Sequence, residues 1–95
     1  MSTKPRAIVM NAADTVATLL VAGRKGASIG LLTPDLRRSG TVELRESIRA
    51  FHKVAIRSMA EGERVVKLGE AIGRASAAIL PGDWVHVHNV VSGRL

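Results

Sequence analysis

The sequence predicts a small, mostly β, barrel-like domain with one short helix near the N-terminus. Apolar residues come in short runs rich in Val and Ile, the composition of strands that cover a modest core. Glycines, and one Pro81-Gly82 pair, punctuate the chain between those runs and supply turns. The apolar spacing of a helix, i, i+3, i+4, is read in one place only, at Val16, Leu19 and Leu20.

Taken in order, Met1 to Arg6 is a polar segment expected to be a flexible tail, and Ala7-Ile8-Val9-Met10 is the first strand. Asn11 to Asp14 turns the chain. Asp14 is placed to cap a short helix over Thr15–Val21 that stops at Gly23. From Gly23 to Gly40, glycines, a proline and the basic residues Arg24, Lys25, Arg37 and Arg38 read as loops around one strand near Ser28–Leu32. Thr41-Val42-Glu43-Leu44 alternates and should bury Val42 and Leu44. After a connector from Arg45 to Ala50, Phe51–Ile56 reads as a strand with His52, Val54 and Ile56 on one face and Lys53 on the other. Val65–Leu68 is a further strand, and Gly69-Glu70 turns the chain after it. Glu63 and Glu70 read as turn and surface residues. The Pro81-Gly82 turn leads into Trp84–Asn89, whose alternation puts His86 and His88 on one strand face, about 7 Å apart. Trp84 reads as a core anchor or interface residue.

The 95 residues suffice for one domain, 1–95, with no internal repeat, but not for a deep substrate cavity of its own. A net charge of +6 permits anionic partners. Phe51 and Trp84 are the only aromatic residues apart from histidine, so the stacking platforms of nucleic-acid binders are missing and such a partner is not expected. No run approaches membrane-spanning length. The absence of cysteine removes thiolate chemistry and disulfides and agrees with a cytoplasmic location. No paired carboxylates and no glycine-rich phosphate loop are present, against glycosidase and nucleotide-binding readings.

Three blocks carry a resemblance. They are His52-Lys53-Val54-Ala55, then Gly62-Glu63-Arg64-Val65-Val66-Lys67-Leu68-Gly69-Glu70-Ala71-Ile72-Gly73-Arg74-Ala75, then Ile79-Leu80-Pro81-Gly82-Asp83-Trp84-Val85-His86-Val87-His88-Asn89. In order and spacing they resemble the N-terminal domain of the altronate and galactarate dehydratases, with patterns H-K-x-A, G-E-x-V-x-K-Y-G-E-x-I-G-x-A and G-x-x-V-H-V-H-N. Asp14-Thr15-Val16-Ala17 is similar to that family's D-N-V-A. Phe51 stands where the family commonly has Gly, Leu68 where it has Tyr, and Thr15 where it has Asn.

The resemblance implies an SAF-type β-clip fold and a small subunit of a lyase whose large subunit is a separate polypeptide. It implies a divalent metal, iron (Fe2+) in the usual case, and an anionic sugar-acid or other hydroxy-acid substrate, with sulfolactate sulfo-lyases as split relatives. Carried over, His86, His88 and His52 are the catalytic candidates, and His86 and His88 are also the metal-ligand candidates. Lys53 and Asn89 are the substrate-binding candidates. These types suit an elimination β to a carboxylate, which needs a base, a clamp for the acid group and help at the leaving group. Without its partner the chain is expected to be inactive and to self-associate. The other reading is a non-catalytic β-clip module that binds an anionic sugar acid or docks a partner subunit.

Overall fold

Nine short strands, and no helix, make up residues 5–91, the part described by the computed structural model. The strands are β1 (Arg6–Ile8), β2 (Val16–Leu19), β3 (Ser28–Leu32), β4 (Arg38–Glu43), β5 (Lys53–Ala55), β6 (Arg64–Lys67), β7 (Glu70–Ala75), β8 (Trp84–Val85) and β9 (Val90–Val91). Six form one sheet in the order β4-β3-β1-β2-β5-β8, and three form a second, β6-β7-β9. Only the β1–β3 pairing is parallel. Residues 1–4 of the expected tail lie outside the described residues, and Arg6 already pairs with Gly30.

The expected helix is overturned. Val16–Leu19 is β2, and it pairs with β1 through Ala7↔Leu19 and with β5 through Val16↔Ala55. The misreading has a physical cause. Ala17 and Leu19 enter one apolar core while Val16 enters a second one, so the strand is buried on both faces and shows no period-two alternation. Asp14 caps no helix. It is buried, and its carboxylate accepts from the backbone N–H of Asn11 (3.1 Å) and of Gly69 (2.8 Å), tying the β6–β7 hairpin to the β1–β2 turn. That hairpin turns at Leu68 and Gly69, both at positive φ (57° and 75°), as a two-residue type I′ connection requires.

The two cores share one end of the larger sheet, the strands β2, β5 and β8. Ala7, Leu19, Ile29, Leu31, Leu44, Ile48 and Val54 form the first, and Val16, Ala55, Met59, Val65, Ile79 and Val85 the second. On β5, Val54 belongs to the first and Ala55 to the second; on β8, Trp84 packs on the first and Val85 lies in the second. Strands β2, β5 and β8 therefore form the partition between the cores.

Sequence comparison shows no repeat, yet one backbone unit occurs four times. Arg24–Ala27, Arg49–His52, Ala60–Glu63 and Leu80–Asp83 each close with an N–H of the fourth residue donating to the carbonyl of the first, at 2.9–3.3 Å. The third residue, Gly26, Phe51, Gly62 or Gly82, has φ of 68–94°, the geometry of a type II turn. Pro81 sits at the turn position that favours proline. In each unit the third residue's N–H donates to the carbonyl of a buried residue, in a strand or, for Leu44, just past the end of β4, whose own N–H returns a bond to the fourth residue's carbonyl; the four acceptors are Leu44, Leu19, Ala75 and Ala55, at 2.6–2.9 Å. The residues leading into the units pair two by two, Gly23 with Ile48 and Met59 with Ile79. Two of these turns, Arg49–His52 and Leu80–Asp83, launch β5 and β8, the strands next to which the histidines lie.

Candidate active site

Strands β5 and β8 pair through Lys53↔Val85 and Val54↔Trp84. Side chains opposite one another share a face, so His52, Val54 and Trp84 face one way and Lys53 and Val85 the other. This is the division expected for His52 and Lys53.

The strand expected over His86–Asn89 stops at Val85. Asn89 stops it. Its side-chain carbonyl accepts from the His86 N–H (2.9 Å) and its amide donates to the Trp84 carbonyl (2.8 Å), while the Asn89 and Val90 N–H groups both donate to the His86 carbonyl (3.1 Å). The chain thus folds into a tight turn before β9. Both ends of the Asn89 amide are committed to the main chain, so its contribution is to shape this turn. The alternation of Val85-His86-Val87-His88 imitated a strand that the asparagine cuts short.

The turn gathers all three histidines around Trp84. The His86 ring stacks on the indole at 4.9 Å and 12°, and the His88 ring leans on it at 4.9 Å and 40°. His52 lies 5.6 Å from the indole and 5.3 Å from His86. The indole N–H donates to Nδ1 of His52 at 3.1 Å, and the Trp84 backbone N–H donates to the Glu46 carboxylate at 3.1 Å. Trp84 is thus both a half-buried anchor on the first core and the hub of the imidazole cluster.

Two clefts flank His86. One, of about 380 Å³, is lined by Ser47, Arg49, His52, Trp84 and His86. The other, of about 240 Å³, is lined by Lys53, Ile72, Val85, His86, Val87 and Val90. In this second, largely apolar cleft the Lys53 ammonium is held below its ordinary pKa, first by burial and then by the like charge of Lys67. Sequence reasoning missed Ser47 and Arg49, which it assigned to a connector. The signal available was position, since Arg49 opens the turn that places His52.

The donors do not form a metal centre by themselves. Among the described residues no three His, Asp or Glu side chains are grouped to hold an ion, and Nδ1 of His52 is taken by Trp84. His86 and His88 each pack against the indole. A metal with the usual four or more ligands would need donors from another chain. No helix of the described residues is long and apolar enough to cross a membrane.

Similarity to known proteins agrees with this architecture. Residues 5–93 match the family described as the altronate/galactarate dehydratase SAF domain. The chain is 38% identical over 88 residues to the (2R)-sulfolactate sulfo-lyase subunit alpha of Chromohalobacter salexigens, covering 92% of this chain and 94% of that one. It is also 35% identical over 82 residues to the altronate dehydratase of Escherichia coli, and 41% identical over 49 residues to that of Bacillus subtilis. Those matches cover 86% and 52% of this chain but only 15% and 10% of the dehydratases. Matched along nearly its whole length, the chain belongs to the altronate/galactarate dehydratase SAF-domain family.

Proposed function

We propose that this chain is the small subunit of a cytoplasmic lyase that eliminates a group β to the carboxylate of a 2-hydroxy acid. The observation that carries the reading is its end-to-end match to a protein named as one subunit of a sulfo-lyase, against a match to only 15% of a single-chain dehydratase. Sulfolactate is the first substrate to test, followed by altronate and galactarate. The open clefts on either side of His86 favour a site completed by a large subunit.

The chemistry required is a β-elimination. A base removes the proton from C2, its electron pair forms the C2=C3 bond, and the C3–S or C3–O bond breaks. The leaving group departs as sulfite or, once protonated, as water. The resulting enol then ketonises. His86, which borders both clefts, is the candidate for moving the proton. Lys53, which lines the second cleft, is the candidate to clamp the carboxylate. His88, exposed beside Trp84, is a second proton-transfer candidate on the side open to a partner. The divalent metal that the family resemblance implies would activate a leaving group as a Lewis acid. Because no ligand set is built among the described residues, any such ion would take donors from the large subunit.

Co-purification with the large lyase-type chain, followed by assay with and without iron, tests the reading. Turnover is expected only with both chains, and His86→Ala should lower kcat by about 10² to 10⁴ without loss of assembly. A large chain equally active alone would make this protein a docking or ligand-binding module. The isolated chain is expected to be inactive and to self-associate, which sedimentation would show.

A further inference from the structure

We propose that Arg49 and His52 form an oxyanion-binding subsite in the cleft beneath His86, with Trp84 as the positioning residue that keeps His52 a hydrogen-bond donor. The inference rests on the lyase reading for the identity of its ligand, an oxyanionic end of the substrate: the sulfonate if Lys53 in the other cleft clamps the carboxylate, or the carboxylate in place of Lys53. Its geometry stands apart from that reading.

An indole N–H can only donate, so the 3.1 Å bond from Trp84 makes Nδ1 of His52 the acceptor. A neutral His52 then carries its proton on Nε2. Protonation of Nδ1 would set two N–H groups against each other and break the bond. His52, one of the residues lining the cleft, therefore carries a fixed N–H on Nε2, unsuited to serve as a metal ligand or base in that state. The stacked His86 ring covers the indole and limits its movement away from His52.

The rest of the cleft has matching chemistry. Arg49 offers a planar fork of N–H donors and a permanent charge, and Ser47 offers a hydroxyl. Among the described residues no carboxylate lines this cleft. The Glu46 carboxylate, at its edge, is taken by the Trp84 backbone N–H at 3.1 Å, and Asp83 pairs with Arg45 at 3.0 Å. A cation, a fixed N–H and a hydroxyl around a small opening make a receptor for an oxyanion. The turn geometry holds Arg49 and His52 together, since the His52 N–H donates to the Arg49 carbonyl.

The test uses the isotope-labelled full chain and two probes, methanesulfonate and acetate. The imidazole nitrogen spectrum should show His52 with Nδ1 bare and Nε2 protonated, and Trp84→Phe should return it to a mixture of tautomers. Each probe should shift His52 Nε2 and the fluorescence of the sole tryptophan saturably, with binding at least about tenfold weaker in Arg49→Gln and partly restored in Arg49→Lys. The tighter probe tells which end of a substrate the subsite holds. A His52 protonated on Nδ1, or an anion response absent or unchanged in Arg49→Gln, overturns the proposal. In an active complex, Arg49→Gln should raise KM about tenfold with little change in kcat. A complex that turns over no hydroxy acid, beside an intact Arg49-dependent response, would sink the lyase reading and leave the subsite standing.

Discussion

The turns Leu80–Asp83 and Arg49–His52 have one backbone and two chemistries. Both present a residue at positive φ, both pair it with a buried strand residue, and both launch a strand of the site. At Gly82 a Cβ would lie 2.0 Å from the Glu43 carbonyl oxygen, because this turn is pressed against the end of β4 and donates no space. Phe51, at the equivalent place, is 76% exposed. The first turn is fixed by packing, and the second tolerates a large side chain in a conformation that L residues disfavour by about 1–2 kcal/mol. That contrast makes glycine before the His-Lys pair a backbone preference and not a packing need, and it makes Phe51 a local strain carried on the surface beside His52 and Lys53.

The sharpest break would come from Gly82→Ala. The clash with Glu43 and the left-handed backbone together should destabilise the chain by about 3 kcal/mol or more, read as a lower midpoint in urea. Gly62→Ala separates the two contributions. It shares the φ, 87°, but has nothing within 4 Å of the added Cβ, so its loss should be about 1–2 kcal/mol. Equal losses at Gly62 and Gly82 would refute the packing account. Phe51→Gly should run the other way and stabilise the chain by about 1 kcal/mol. If the same substitution weakens assembly with a large subunit, the strained phenylalanine is held for that contact.

The smallest effect concerns the strands that leave the two turns, where Lys53 faces Val85. In the unfolded chain Lys53 regains its ordinary pKa of 10.5. Between the depressed folded value and 10.5 the unfolded state holds more protons, so stability rises with pH in that window, and below it the penalty for the charged form is fully present. Lys53→Met should raise the melting temperature at neutral pH by an amount that shrinks as pH approaches 10.5. Lys67→Met should move the Lys53 titration part of the way back up, visible by side-chain NMR. A Lys53 that titrates identically in both chains would remove the like-charge contribution.

Legibility in the sequence followed exposure. The strand over Ser28–Leu32 was plain from its apolar run, and the opposed faces of His52 and Lys53 followed from strict alternation. β2 was illegible because both of its faces are buried, so Val16, Leu19 and Leu20 offered a helical spacing by coincidence. The histidine segment failed for the opposite reason, since an alternating pattern was overruled by two side-chain hydrogen bonds from Asn89. The fourfold turn was hidden because it is conserved in backbone angles while only three of its four key positions are glycine. Arg49 could not be weighed until that turn placed it beside His52.

The shared strands β2 and β5 also govern how the chain folds and opens. Each serves both cores, and their partner bonds span long sequence separations, as in Leu19 with His52 and Ala55 with Asp83. Neither core closes before the chain ends that flank it have met, which gives slow folding and a single cooperative transition. The amides of Leu19 and Ala55 should then exchange with deuterium only when the whole domain opens, while those of the exposed turn at Val87 and His88 exchange freely. The exposed histidine turn is thereby the freely exchanging margin of a protected partition.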